Sequence, residues 1–312
     1  MTYLVTGGAG FIGSHIVAAL LSTGAQVRVL DDFSSGKRAN LEAVSSGAGP
    51  GRLDVIKADL RDKTEIARAV QGVDVIFHQA AFVSVPESME HPAECFDVNC
   101  TGTAGLLEAA RAAEVRRVVL ASSAAVYGDS AHLPLREADA PRPLSPYAAS
   151  KAVDEIYASL YTQSMGLEVC ALRYFNVFGP RQRPDTQYAA AVPIFIRHLL
   201  RQEAPTIYGD GEQTRDLIFV GDVVRANLLA AESAASAGQI LNVCTGKKTR
   251  LLDLVDMLYE LLPGAPGPRF AAHRPGDIRE SVGSPAKARQ VLGFEAQSTL
   301  RAGLQETLRW MR

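Results

Sequence analysis

The stretch from Thr2 to Thr23 constrains this chain more than any other. Thr2 to Thr6 is a short apolar strand, Gly7-Gly8-Ala9-Gly10-Phe11-Ile12-Gly13 follows, and an apolar-periodic helix runs on to about Thr23. Strand, glycine turn and helix in that order, with glycines three apart, are the context a dinucleotide fingerprint requires. Gly7 permits the tight turn, Gly10 lets backbone approach a pyrophosphate, and Gly13 lets the helix pack on the strand. The helix N-terminus then offers N–H groups and a positive dipole end to phosphates.

Further strands are predicted at Gln26–Leu30, Leu53–Ala58, Val73–Phe77, Arg117–Ala121 and Glu168–Tyr174, alternating with helices. That alternation predicts an α/β fold, a doubly wound parallel sheet with right-handed crossovers. Asp31, at the end of the second strand with Asp32, lies where a ribose-binding acid is expected. A carboxylate there accepts from ribose hydroxyls and repels a 2′-phosphate, so NAD is favoured over NADP. Lys37 and Arg38, just beyond, read as solvated loop residues. Asp59 and Leu60 end the third strand; Asp59 either borders the adenine or caps a helix over 62–70. After the fourth strand, the small residues of Gln79-Ala80-Ala81 let backbone approach a ligand, whereas His78 reads as a packing residue. A helical region over 92–113 holds Asn99, placed to bond a neighbouring strand's backbone.

The chemistry is expected at the end of the fifth strand. Ser122-Ser123-Ala124-Ala125-Val126-Tyr127-Gly128 is followed, after a polar loop, by Ser145-Pro146-Tyr147-Ala148-Ala149-Ser150-Lys151. Ser145 suits an N-cap and Pro146 the first helical position. Tyr147 and Lys151 then share one helix face. An ammonium beside a phenol favours the phenolate, which makes Tyr147 a proton carrier for an alcohol undergoing oxidation.

Beyond Tyr174 the rhythm changes. A loop runs from Phe175 to Arg181, and a smaller cap folds over the sheet. Residues 217–243 return to the main sheet, so 1–176 forms the cofactor-binding domain and 177–312 is mainly substrate-binding. A net charge of −2 makes no electrostatic case for nucleic acid or membrane. The chain enters a strand at Tyr3 almost at once, so no signal peptide and a cytoplasmic location are expected. Cys95, Cys100, Cys170 and Cys244 form no CxxC pair and have no histidine at zinc spacing, so buried free thiols and no metal are expected.

Taken together, these residues resemble the extended short-chain dehydrogenase/reductase family, closest to nucleotide-sugar 4-epimerases of the UDP-galactose 4-epimerase type. The carriers are Thr6 to His15, the Ser-Ser-Ala-Ala-Val-Tyr-Gly run, Tyr147-x-x-x-Lys151, Leu172 to Pro180, Gly209 to Asp216 and Arg274-Pro275-Gly276-Asp277. The resemblance spans almost the whole chain and implies a Rossmann-type domain holding NAD. Gly7, Gly10, Phe11, Ile12, Gly13, Asp31, Asp32, Asp59, Leu60, Gln79, Ala80, Ala81 and Tyr174 would surround it. Ser123, Tyr147 and Lys151 match the family's catalytic serine, base and lysine.

On the substrate side, the resemblance implies that Asn176, Arg215 and Arg274 grip a nucleotide-sugar diphosphate, with Asp277 beside them. Arg suits this because its fork donates two bonds to one phosphate; a surface ion pair is the other reading of both arginines. Ser84 touches the sugar or caps a loop. Tyr208 packs on the uracil or fills the cap's core. Ser281 stands where some relatives carry a tyrosine that closes the sugar pocket, so room for an N-acetyl group is expected. Sugar-dehydrating relatives carry an Asp-Glu pair where this chain has Ala124 and Ala125, and decarboxylating relatives keep the Glu. Methyl groups can do neither task, so dehydration and decarboxylation are not expected.

The implied reaction is reversible inversion at C4 of a UDP-hexose through a 4-keto sugar. Alternatives are a uronic-acid 4-epimerase, a net nucleotide-sugar dehydrogenase or reductase, and an NAD-sensing regulator. Relatives pair as homodimers through helices here at about 92–113 and 146–165.

Overall fold

A computed structural model describes residues 1–46, 51–184, 190–273 and 278–312. The first half alternates strand and helix: β1 (Thr2–Thr6), α1 (Phe11–Ser22), β2 (Gln26–Asp31), α2 (Arg38–Ser46), β3 (Arg52–Lys57), α3 (Lys63–Ala69) and β4 (Val75–His78). A longer crossover follows through α4 (Val85–Glu90), α5 (Pro92–Phe96) and α6 (Gly102–Ala112). It leads to β5 (Arg117–Ser123), α7 (Pro146–Ser164) and β6 (Glu168–Tyr174). The chain then leaves the sheet through β7 (Asn176–Phe178), α8 (Ala191–Leu200), β8 (Thr206–Tyr208), β9 (Thr214–Arg215) and β10 (Leu217–Phe219). It returns by α9 (Val220–Glu232) to β11 (Ile240–Val243). The remainder comprises β12 (Thr249–Arg250), α10 (Leu251–Leu261), β13 (Arg269–Ala271), β14 (Glu280–Ser281), α11 (Ala286–Leu292) and α12 (Leu300–Met311).

The central sheet has seven parallel strands in the order β11-β6-β5-β4-β1-β2-β3. Strand order reverses between β1 and β4, whose register pairs Thr6 with His78. Ligands in such sheets bind beyond the carboxyl ends at that crevice. Apolar side chains from both faces make two cores: one under α1 and α9, the other under α3, α6 and α7. Leu4, Val5, Ile76, Phe77, Val118 and Val119 are completely buried, as strands covered on both faces should be.

A further apolar core is built by α8, β8, α10 and α12 around Phe195, Ile207, Leu258 and Leu304. Phe11 and Ile12, at the start of α1, pack against its edge. The last part of the chain is not all cap, because Ala288, Leu292 and Phe294 join the main core.

The helical run over 92–113 is not one α-helix. A π turn, Asp97–Thr101, joins α5 to α6. Its extra residue lets Asn99 and Cys100 both face inward, and Asn99 is fully buried. The Asn99 carboxamide accepts from the Phe82 N–H (2.7 Å) and donates to the Phe82 carbonyl and the Ser150 hydroxyl. Asn99 thus ties the loop after β4 to α7, and π turns recur at such functional places. The fourth strand starts at Val75, two residues late, because the Val73 N–H closes a turn onto Val70.

Candidate active site

A cavity of about 710 Å³ opens over the carboxyl ends of β1, β4 and β5. Its floor is the glycine turn. Gly7 sits at φ +66°, and a methyl group there would strike the Ala80 backbone. A methyl on Gly13 would land on the Gly7 carbonyl oxygen, so only glycine lets α1 begin this close to β1. Gly10, Phe11 and Ile12 complete this wall.

Asp31 and Asp32 close one end. Asp31 is buried and accepts from the Ala9 N–H (2.9 Å) and the Phe33 N–H (2.8 Å). Burial raises its pKa, against the pull of those two donors. Asp59 and Leu60 lie at the same end. Asp59 is no helix cap: the cap of α3 is Asp62, whose carboxylate takes the Thr64 and Glu65 N–H groups. Asp59 instead binds Arg61 (2.6 Å), and that bond holds its carboxyl below the usual range. Arg61 lines the cavity too, as does Lys37, read from sequence as merely solvated. Arg38 opens α2 with its guanidinium 4.4 Å over the Phe33 ring.

Gln79, Ala80 and Ala81 form the middle of the cavity, with Tyr174 beside them. The Tyr174 hydroxyl is held by Asn227 (2.8 Å) and Gln79 (3.2 Å), and burial pushes its pKa well up. Asn227 was invisible to the sequence reading, since it lies on the inner face of α9, 53 residues from its partner.

Ser123, Tyr147 and Lys151 line the same cavity. Ser145 caps α7 by accepting from the Ala148 N–H, with Pro146 at its first position. The Ser123 hydroxyl accepts from the Ala125 N–H (3.1 Å), which leaves its own proton to donate into the cavity. Lys151 is buried and bonds Asp154 at 3.2 Å. Burial alone would push the ammonium down, but Asp154 and Tyr147 outweigh it and the net shift is upward. Asp154 was not singled out from sequence, although three-residue spacing from Lys151 signals a shared helix face. Arg173 grips Glu155 through two 2.7 Å bonds, and Ser122 donates to the same carboxylate (2.6 Å). That pairing locks α7 onto β5 and β6.

The substrate-side residues lie elsewhere. None of Ser84, Asn176, Tyr208, Arg215 and Ser281 lines the cavity. Ser84 caps α4 by accepting from the Glu87 N–H. Asn176 is exposed between Phe175 and Val177, which do line it, and its N–H donates to the Asp216 carbonyl. Arg215 pairs in register with Ser281 across β9 and β14, so Asn176, Arg215 and Ser281 form one neighbourhood. Tyr208 is half-buried in β8 and its carbonyl accepts from Gln213. Arg274 and Asp277 lie outside the described residues. Sequence reasoning missed Arg181, which lines the cavity half-buried, at φ +67°, with a buried Nη1 that has no partner.

Comparison with known proteins agrees with this architecture. The model of the NAD dependent epimerase/dehydratase family matches residues 3–244. The chain belongs to that family. A UDP-glucose 4-epimerase of Mycolicibacterium smegmatis is 39% identical, covering 100% of this chain and 99% of its own. Among solved structures, a UDP-N-acetylglucosamine 4-epimerase from Methanobrevibacter ruminantium in complex with UDP-N-acetylmuramic acid superposes with TM-score 0.93. It is 38% identical and covers 99% of this chain and 97% of its own. The Thermus thermophilus UDP-glucose 4-epimerase complexed with NAD is 40% identical at TM-score 0.88, covering 100% and 99%. NAD is therefore the cofactor of this family member. The residues present suit it: a glycine cradle that methyl groups would fill, and a buried acid, Asp31, at the end of β2.

All four cysteines are buried free thiols. Among the described residues no helix is long and apolar enough to cross a membrane.

Proposed function

We propose that the enzyme, an NAD-dependent isomerase of the UDP-glucose 4-epimerase type, reversibly inverts C4 of UDP-glucose and UDP-galactose. The observation that carries this reading is one cavity lined by Ser123, Tyr147 and Lys151 together with the glycine turn. NAD, held by Gly7 to Gly13 and Asp31, would supply a hydride acceptor and donor. Tyr147, as phenolate, takes the O4 proton and later returns it. Ser123, with its oxygen already bonded by the Ala125 N–H, hydrogen-bonds to the same O4 as a relay. Lys151 keeps a positive charge beside the phenol.

The 4-keto sugar formed in between must turn its other face before the hydride returns. A firmly held diphosphate and a loosely held sugar would permit this. The shared neighbourhood of Asn176, Arg215 and Ser281 supports a diphosphate grip and an open sugar pocket, with Arg274 and Asp277 assigned to the same grip. On this reading UDP-GlcNAc and UDP-GalNAc are substrates as well. Ala124 and Ala125 supply no acid or base for dehydration. Exposed Phe96, Ile156 and Leu160 on α5 and α7 support a homodimer through these helices.

The test is incubation with UDP-galactose, without added cofactor, and chromatography of the products. UDP-glucose should appear, and Tyr147→Phe should abolish turnover while NAD still binds. Normal turnover by that variant would overturn the proton assignment.

A further inference from the structure

Lys151 does not stand alone behind Tyr147. Its ammonium meets the Asp154 carboxylate at 3.2 Å, and both side chains are almost completely buried, at 3% and 1% exposure. The Thr103 hydroxyl faces that carboxylate and lowers its pKa. His78 Nε2 lies 2.9 Å from the Thr103 oxygen, and His78 Nδ1 lies 2.6 Å from the Thr6 oxygen. Finally, the Ala80 N–H donates to Thr6 at 3.3 Å. The polar chain therefore runs from the cavity wall at Ala80, through β1, β4 and α6, to the lysine.

An ionised Asp154 sets every donor in this chain. It can only accept, so the Thr103 hydroxyl facing it turns its proton towards the carboxylate. The Thr103 oxygen then accepts from His78 Nε2–H, and His78 Nδ1 accepts from the Thr6 hydroxyl. This requires a neutral imidazole, and burial with the nearby Lys151 charge pushes His78 down to about 3. The bond from Lys151, with the Thr103 hydroxyl turned towards it, is what lets a carboxylate remain so deep in the fold.

We propose that Asp154 is a positioning residue of the reaction: its carboxylate, aimed by the Thr6–His78–Thr103 chain, fixes the Lys151 ammonium and sets the pH window in which Tyr147 works. The proposal rests on the roles given above to Tyr147 and Lys151. The other titratable groups facing Asp154 do not compete. Cys95 and Cys100, on α5 and the π turn, are neutral thiols raised by burial, Cys100 to about 12. Glu155, the next residue on α7, is paired with Arg173. Asp154 is thus the counter-charge of the lysine, and burial raises its own pKa to about 6.

The consequence has a definite sign. A negative charge raises the pH at which every neighbouring group loses its proton. Removing it should move both the phenol and the ammonium to lower pH, and because the two are coupled the window moves as a unit. One charge in such an environment is worth about one pH unit.

The experiment uses the purified full chain. The ultraviolet absorbance of the Tyr147 phenolate is isolated by subtracting the same protein carrying Tyr147→Phe, and it is titrated in wild type, Asp154→Asn and Asp154→Glu. In parallel, kcat/KM for UDP-galactose is measured across pH. We expect Asp154→Asn to shift the phenolate titration and both limbs of kcat/KM towards acid by about one unit. Asp154→Glu, which keeps the charge, should return both to the wild-type position. A merely structural role would lower activity at every pH without moving either curve, and that result overturns the proposal. Should Asp154→Asn not fold, Thr103→Val weakens the hold on the ionised carboxylate and should shift the acid limb in the same direction by less; an unmoved limb overturns the proposal too. A phenolate shift in a protein whose wild type turns over no UDP-sugar would support Asp154 while refuting the epimerase reading.

Discussion

Arg173→Met is the perturbation whose cost the structure defines best. Arg173 and Glu155 are 2% and 3% exposed, and two hydrogen bonds of 2.7 Å join them. The guanidinium also lies 4.6 Å over the Tyr127 ring. Methionine fills much of the same volume but leaves the Glu155 carboxylate with only the Ser122 hydroxyl. Breaking a buried pair in this way costs about 3–5 kcal/mol. Not all of the pair is favourable, since Arg173 Nη1 is buried without a partner. The double variant Arg173→Met/Glu155→Leu should therefore be more stable than Arg173→Met alone, because no charge is stranded. The assay is urea unfolding at neutral pH, followed by circular dichroism. A loss under about 1 kcal/mol for Arg173→Met, or a double variant less stable than the single one, would refute the reasoning. Turnover should fall as well, because this pair seats α7, and with it Tyr147, against the strand bearing Ser123.

Other outcomes are equally specific. Gly13→Ala should abolish NAD binding, measured by calorimetry, because its methyl cannot clear the Gly7 carbonyl; ordinary affinity would contradict the cradle. His78→Gln should flatten the loss of stability on acidification. The folded imidazole, pushed down to about 3, refuses a proton that the unfolded chain accepts near 6.5. Stability from this residue is complete above 6.5 and drains as pH falls towards 3, by up to about 1.4 kcal/mol per unit. Asp154 works in the opposite sense, so the difference between wild type and variant in urea midpoints from about pH 6 to pH 4 isolates the histidine. Ser281→Tyr should depress turnover of UDP-GalNAc more than that of UDP-galactose; equal losses would remove Ser281 from the sugar pocket.

Much of the site was legible because its signals are local. Each rests on a spacing of a few residues: glycines three apart between strand and helix, an acid closing the second strand, Ser-Pro starting the helix of Tyr147 and Lys151. Backbone geometry turns such spacings into positions without help from distant parts of the chain. The parallel sheet followed from the strand–helix alternation for the same reason, and only the strand ends moved by a residue or two. The π turn at Asp97–Thr101 escaped because apolar periodicity does not distinguish a slightly widened turn from an α-helical one.

What tertiary structure alone decided are the partnerships across long sequence separations. Asp154 meets Thr103 and, through it, His78; Arg173 meets Glu155 under Ser122; Asn99 holds Phe82 and Ser150 together. These contacts depend on the sheet order that sets β4, β5 and β6 side by side and on the helices that cover them. A buried charge has no periodicity of its own, and its partner is whichever group the packed fold brings within 3 Å. The sequence by itself therefore determined that the glycine turn, Asp31, Ser123, Tyr147 and Lys151 would line one cavity. Packing decided which buried groups hold the lysine's charge in place, because only the assembled fold removes the water that would otherwise do so.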